Sequence, residues 1–217
     1  MSSMQLIIGN KNYSSWSLRA WLPLKQAGIE FEEIRIPLDT LQTRTQILQY
    51  SPSGKVPALQ YGELLVWESI AICEYLADLF PDRLFWPTDL AARAIARCVS
   101  AEMHAGFSPL RQQLPMDCRA RIAWQGTTPD VQADIDRICK IWQTCRQQFG
   151  QGGELLFGHF TMADAMFAPV VSRFLTYGVP LTAIAEDYVA AIESLPAMQA
   201  WFTAAAAEPE TLSTFKL

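Results

Sequence analysis

Hydrophobic and polar positions change period along the chain, and the changes mark out its elements. The apolar run Met4-Gln5-Leu6-Ile7-Ile8 has strand length, and the polar turn Asn12-Tyr13-Ser14-Ser15 separates it from an amphipathic stretch carrying Leu18, Trp21, Leu22 and Lys25. That stretch predicts a helix over residues 17–27, stopped by Gly28. Residues 32–36 place Ile34 and Ile36 on one face, the alternation of a second strand. Residues 58–61 and 64–67 flank Gly62-Glu63, the pattern of a hairpin with a two-residue turn. Residues 69–80 carry Ile72, Tyr75, Leu76 and Leu79 on one stripe and end at Pro81, which predicts a helix. The order β-α-β, a less regular stretch, then β-β-α predicts a small mixed sheet covered by helices.

Near Trp86-Pro87-Thr88-Asp89 the pattern changes, and from Leu90 onward only helical periodicity remains. Thr128-Pro129-Asp130 has the cap-then-proline order of a helix start, and it leads into Val131, Ile135, Ile138, Trp142, Cys145 and Phe149 on one stripe. Thr161-Met162-Ala163-Asp164 resembles a capping box with Asp in place of Glu or Gln, followed by a helix rich in apolar residues. Ala204 to Ala207 ends the last helix. The expected organisation is an α/β domain over residues 1–84 and an all-helical domain over residues 90–217.

Half of the 217 residues are apolar and 18% are charged, which describes a folded chain. A net charge of −5 without a basic block argues against nucleic acid as a partner. No apolar run has the length of a membrane span, and Met1-Ser2-Ser3-Met4-Gln5 lacks the basic-then-apolar order of a secretory signal. Cys73, Cys98, Cys118, Cys139 and Cys145 include no Cys-x-x-Cys pair, and the two histidines offer no metal-site spacing. These features fit reduced thiols in a cytoplasmic protein without a metal.

Chemistry concentrates in three places. A strand, a turn bearing Ser14 and Ser15, and a helix start bring hydroxyls together with unpaired N–H groups at the positive end of a helix dipole, a setting for a thiolate or another anion. Ser53-Gly54-Lys55-Val56-Pro57-Ala58-Leu59 precedes the hairpin, and Trp67-Glu68-Ser69-Ile70-Ala71-Ile72 opens the helix after it.

These three stretches, in this order, resemble the cytosolic glutathione transferases, and the resemblance covers essentially the whole chain. Ser14-Ser15-Trp16-Ser17-Leu18-Arg19 looks like the serine-type active-site motif, nearest to the zeta class of maleylacetoacetate isomerase-like proteins. Residues 53–59 look like the loop before a cis-proline, and Glu68-Ser69 looks like the start of the helix that receives the glutamyl end of glutathione. Gly106-Phe107-Ser108-Pro109-Leu110 and residues 161–164 also resemble zeta-class stretches. The resemblance implies a thioredoxin-like βαβαββα domain, a helical second domain and a homodimer. The chain departs from the zeta pattern at Trp16, where that class has cysteine, and at Leu18, where it has tryptophan. Arg111-Gln112 replaces Gln-Asn, and Arg173 falls about one helical turn before the position of the zeta substrate-binding arginine.

The function this implies is activation of the glutathione thiol for attack on a small electrophile, as in detoxification. Ser14 or Ser15 would donate a hydrogen bond to the sulfur anion, and either serine also fits the simpler role of capping the helix. Val56-Pro57 is the expected cis bond, with the Val56 backbone facing the cysteinyl moiety. Lys55 would meet the glycine carboxylate or stand as a solvated lysine. Ser69 would take the glutamyl carboxylate and Glu68 its ammonium, unless the pair only caps the helix. For the electrophile the candidates are Tyr13, Met103, His104, Phe107, Arg111 and Arg173. Met103 and Phe107 equally suit a core, and the arginines equally suit pairing with acids such as Glu102 or Asp164. Thr161 and Asp164 read as structural. Two alternatives accompany the transferase reading: a glutathione-dependent cis–trans isomerase acting on an anionic dicarboxylate, and a non-catalytic binding protein on the same scaffold.

Overall fold

The computed structural model describes residues 3–212; Met1, Ser2 and residues 213–217, which belong to the expected domain ranges, lie outside the described residues. Strands β1 (Met4–Ile8), β2 (Glu32–Arg35), β3 (Ala58–Tyr61) and β4 (Leu64–Trp67) form one sheet of order β2-β1-β3-β4. β1 runs parallel to β2, with Ile7 opposite Ile34, and antiparallel to β3, with Leu6 opposite Leu59. β1 reads as an unbroken apolar run because both its faces are covered. Leu6 and Ile8 join the main core with Leu18, Leu22, Ile72 and Leu76, whereas Ile7 faces the other way, toward Ile36, Ile47 and Ala58.

Helix α1 (Ser15–Gln26) starts two residues before the position expected from periodicity, because Ser14 is its cap: the Ser14 Oγ accepts the Ser17 N–H at 3.4 Å. Pro23 inside α1 has no N–H for the carbonyl of Arg19, and the Cys73 thiol lies 3.7 Å from that oxygen instead. The stretch expected to be irregular contains α2 (Thr43–Ile47), whose Ile47 covers Ile7. With α3 (Ser69–Leu79) the thioredoxin-like βαβαββα order is complete.

The remaining helices are α4 (Leu90–Ala105), α5 (Ser108–Gln113), α6 (Pro129–Phe149), α7 (Met162–Tyr177), α8 (Ala183–Ser194) and α9 (Pro196–Ala206). Past residue 90 the described residues contain no strand, only isolated bridges at Leu155–Gly158 and Phe157–His159. Trp142 of α6 is the hub of this part, 4.6 Å from the Tyr188 ring, 5.5 Å from Phe174 and 6.0 Å from Phe167. At the start of α7, the Asp164 Oδ2 accepts both the Thr161 N–H (2.8 Å) and the Thr161 hydroxyl (2.9 Å). Its Oδ1 accepts the Leu156 N–H and the Tyr188 hydroxyl, each at 3.2 Å. A shorter acid therefore closes the box. Burial outweighs these four bonds and raises the carboxyl to about 6.

Helix α1 packs on α3, α7 and α9. Trp21 meets Trp201 of α9 edge-on at 5.1 Å, and the buried Arg19 donates through Nε to the Met166 carbonyl at 3.0 Å. All five cysteines are free thiols, and burial pushes Cys73 and Cys145 up to about 12 and Cys118 and Cys139 up to about 11. None of these four is disposed to act as a nucleophile. Among the described residues no helix is long and apolar enough to cross a membrane.

Candidate active site

The turn between β1 and α1 is held by groups from several parts of the chain. Gly9 opens it where a side chain would run into Leu38, whose Cδ1 would lie 2.7 Å from an added Cβ. The Asn10 carbonyl accepts the N–H groups of Tyr13 (3.2 Å) and Ser14 (2.8 Å), while its side-chain oxygen accepts the Leu38 N–H at 2.7 Å. Asn12 is fixed to the stretch before α6: its amide donates to Asp117 at 2.9 Å, and its Oδ1 accepts the Arg119 N–H at 3.0 Å. From this turn Ser14 enters a chain of hydroxyls. Its Oγ lies 2.7 Å from the Ser17 Oγ, which accepts the Gly9 N–H at 3.0 Å. Ser15, the first residue of α1, makes no hydrogen bond through its hydroxyl to the described residues.

Two adjoining cavities open beside this turn. One, of about 380 Å³, is lined by Ser53, Lys55, Pro57, Glu68, Ser69 and His104. The other, of about 460 Å³, is lined by Tyr13, Ser14, Ser15, Arg111 and Arg173. Trp16, Lys55 and Val56 line both. The Val56–Pro57 bond is cis. Ser69, at the start of α3, is only 1% exposed, and its hydroxyl has no partner. An orphaned buried hydroxyl beside free helix N–H groups is suited to an incoming carboxylate. Glu68 adopts φ 73° and places no side-chain cap on α3, so its carboxylate is available to the cavity. It stands 3.7 Å from the His104 Nε2. Burial foremost, with Arg19 and Arg111 adding and Glu68 opposing, lowers the His104 imidazole below its ordinary 6.5, so the ring is neutral at neutral pH.

The second cavity has a cationic floor. Trp16 lies against two guanidinium groups, with the Arg19 Cζ 4.2 Å and the Arg111 Cζ 4.6 Å from its ring, and His104 meets it edge-on at 5.2 Å. Arg111 donates through Nη2 to the carbonyls of Met103 and His104. Arg173, almost wholly buried, donates to Leu114 O (2.9 Å) and Pro169 O (3.1 Å). The acids expected to neutralise these arginines are engaged elsewhere: Glu102 pairs with Arg137 at 2.7 Å, and Asp164 closes the start of α7. Burial, and next the charge of Arg111, lowers Arg173 to about 10 and Arg19 well below its ordinary value. Arg19 and Arg173 are buried and Arg111 is half-buried, with the charge of Asp134 acting on it; such a group of cations favours an anion in contact with it.

Of the residues picked out in the sequence, Ser14, Ser15, Tyr13, Arg111 and Arg173 come together around one cavity, and Lys55, Val56, Pro57, Glu68 and Ser69 around the other. His104 lines the first cavity beside Glu68, yet stays close enough to Arg19 and Arg111 for their charges to act on it. Met103 and Phe107 are corrected: both side chains belong to the apolar core and line neither cavity, because the inward faces of α4 and the α4–α5 turn are spent on packing. Sequence reading missed Ser17, although its spacing of three from Ser14 is the cap-to-N3 signature. It also missed the buried Arg19, and no local signal marks Arg119, which donates to the Tyr13 hydroxyl at 2.9 Å. Among the described residues no group of three or more His, Cys, Asp or Glu side chains is placed to hold a metal ion.

A family model for the glutathione S-transferase N-terminal domain matches residues 13–79, and one for the glutathione S-transferase C-terminal domain matches residues 95–204. A maleylacetoacetate isomerase of Rattus norvegicus is 30% identical over 175 residues, covering 77% of this chain and 76% of that protein. A glutathione S-transferase of Arabidopsis thaliana is 27% identical over 199 residues, 86% of this chain and 93% of that protein. Among solved structures, a glutathione transferase homolog from Burkholderia with bound glutathione superposes with a TM-score of 0.71 at 24% identity, covering 95% of this chain and 100% of that one. At that identity it speaks for the fold.

Proposed function

The chain belongs to the glutathione S-transferase family, and from that premise we propose that it binds reduced glutathione in the cavity of Ser69 and Lys55 and activates its thiol with Ser14. The observation that carries the choice of serine is the hydroxyl chain. The Ser17 Oγ already accepts the Gly9 N–H, so its own hydrogen is free to donate to Ser14 across 2.7 Å. Ser14 also accepts the Ser17 N–H, which leaves its hydroxyl hydrogen to point into the cavity toward a sulfur anion. Donors aligned in one direction polarise one another. Ser15, next in the chain and unpartnered, is the second candidate.

The magnitudes are adequate. A free cysteine-like thiol has a pKa near ~8.5, and lowering it by about two units takes roughly 2.7 kcal/mol. One hydrogen bond to a charged sulfur contributes roughly 1.5–3 kcal/mol, and a helix N-terminus about 0.3–1. The unpartnered Ser69 hydroxyl and the α3 N-terminus suit the glutamyl carboxylate, Glu68 its ammonium, Lys55 the glycine carboxylate, and the Val56 backbone the cysteinyl unit. The electrophile would occupy the adjoining cavity against Trp16. In this reading residues 1–84 form the glutathione-binding domain and residues 90–217 close the electrophile site. A homodimer is supported by Leu64, Trp67, Leu90 and Ile95, which are exposed on β4 and α4, both packed against α3. A cytoplasmic place and a part in detoxification complete the proposal.

Calorimetric titration of glutathione into the wild type, Ser14→Ala and Ser15→Ala tests it. Saturable binding with proton release, the release lost in Ser14→Ala, is the expected result; no binding up to millimolar glutathione sinks it.

The cationic floor favours a second reading, a glutathione-dependent cis–trans isomerase acting on an anionic unsaturated acid. The thiolate would add to the conjugated double bond, rotation would follow, and the same sulfur would leave. Arg111 and Arg173 would hold the carboxylates. Isomerase turnover that survives replacement of both arginines rules this out.

A further inference from the structure

The segment that follows α9 returns to the turn that presents Ser14. Beyond α9, Glu208 is only 8% exposed, and its two carboxylate oxygens accept the backbone N–H groups of Lys11 (2.7 Å) and Asn12 (3.0 Å). Arg35 approaches the same carboxylate at 3.7 Å and pairs with Glu210 at 2.8 Å. Arg119 closes the clasp from the other side. Its Nη1 donates to the Glu208 carbonyl at 2.7 Å, and its Nη2 donates to the Glu210 carbonyl at 2.8 Å and to the Tyr13 hydroxyl.

We propose that Glu208 is a positioning residue for thiol activation: by holding the Lys11 and Asn12 amides it fixes the turn from which Ser14 is aimed. The inference rests on the reading that Ser14 donates to the glutathione sulfur. Asn12 is fully buried and lies two residues before Ser14. Without the carboxylate, its N–H and that of Lys11 would stay unpaired in a dry turn or rotate the backbone toward another acceptor. Either way the shift passes through Tyr13 to Ser14, where a displacement of about 1 Å separates a strong hydrogen bond from a weak one. A carboxylate near a thiolate opposes it electrostatically. Here two N–H donors and Arg35 absorb its charge, so the contact orients the turn with little electrostatic penalty.

The alternative is a latch that only joins the segment after α9 to the turn after β1, and the readouts must separate the two roles. Glu208→Ala and Glu208→Gln are compared with the wild type by amide hydrogen exchange at residues 11–14, by thermal melting, and by ultraviolet titration of the bound glutathione thiol. The expected result for Glu208→Ala is faster exchange confined to the turn and a bound-thiol pKa raised by about one unit, roughly tenfold less thiolate below that pKa. The KM for glutathione should hardly change, since Lys55, Glu68 and Ser69 stand elsewhere. Glu208→Gln keeps one acceptor oxygen and should fall between the two; it carries the test if Glu208→Ala fails to fold. A lower melting temperature with an unchanged thiol pKa leaves only a latch and overturns the proposal. A wild type that shows no bound thiolate removes the transferase reading and this role together, whereas a wild-type signal that survives both substitutions removes this role alone.

Discussion

The Ser14 and Ser17 hydroxyl oxygens lie 2.7 Å apart, and Ser17 is in turn tied to the Gly9 N–H at the end of β1. Ser17 should therefore matter to catalysis without facing the cavity. Ser17→Ala is expected to raise the pKa of the bound thiol by about 0.5–1 unit, the worth of one polarising hydrogen bond. Ser14→Ala should raise it by about 1–2 units. The pH profile of kcat/KM reads both, and a Ser17→Ala profile superposable on the wild type disproves the relay.

Trp16 is the aromatic wall shared by the two cavities, lying against Arg19 and Arg111. Trp16→Ala should join the cavities and raise turnover of bulky electrophiles relative to small ones. It should also remove cation–π contacts worth about 0.5–2 kcal/mol each, lowering the melting temperature by several degrees. Trp16→Phe keeps a ring and should restore most of the stability. Selectivity that is the same in all three proteins would show that Trp16 is not a partition.

His104 and Glu68 give the site an acid-side limit. The imidazole is neutral at neutral pH, and it charges only below its lowered pKa, under 6.5. Once charged it attracts the Glu68 carboxylate, 3.7 Å away, and competes with the ammonium of glutathione. The KM for glutathione should therefore climb as pH falls below that value, and His104→Gln should flatten the climb. A wild-type KM independent of pH through this range contradicts the competition.

Asp164 should be purely structural. Asp164→Ala leaves four donors unpaired around a fully buried site, for a loss of roughly 3 kcal/mol or more at neutral pH. Glutathione affinity of the folded fraction should not change. The sign of its pH dependence is fixed by its raised pKa. The native carboxyl, at about 6, keeps a proton that the unfolded one, near 3.8, has given up. Its stabilising contribution is therefore complete below 3.8 and fades as pH rises through 6. Carbon-13 titration of the Asp164 carboxyl checks the value, and a midpoint near 4 would refute it.

Most of the fold was legible because it is written in local patterns: the apolar β1, the Gly62-Glu63 hairpin and the long stripe of α6. Helix α2 was harder to place, since its five residues bury only Ile47 and carry no side-chain cap. The start of α1 was misread because apolar periodicity is silent about capping, and the Ser14 cap starts the helix at Ser15, two residues before the expected start. The site divides along the same line. Ser14, Lys55, Glu68 and Ser69 lie in short contiguous motifs, so the sequence displays them. Met103 and Phe107 were over-read, because a residue at helical spacing does not announce whether it faces a cavity or a core. The contacts of Arg119 and Glu208 with the first turn span about a hundred or two hundred residues of chain. No local pattern encodes them.

Helix α1 belongs to both halves of the molecule at once. Its first residue borders the serine turn, while Arg19 and Trp21 are seated on Met166 of α7 and Trp201 of α9. The helical half is therefore not an interchangeable attachment. A chimera joined at the linker with a relative's helices would strand a buried guanidinium and an indole unless the matching faces of α7 and α9 travelled with α1. Diversification of this scaffold is free mainly at Trp16, Arg111 and the cavity they border, and it is tightly restricted one turn further along the same helix.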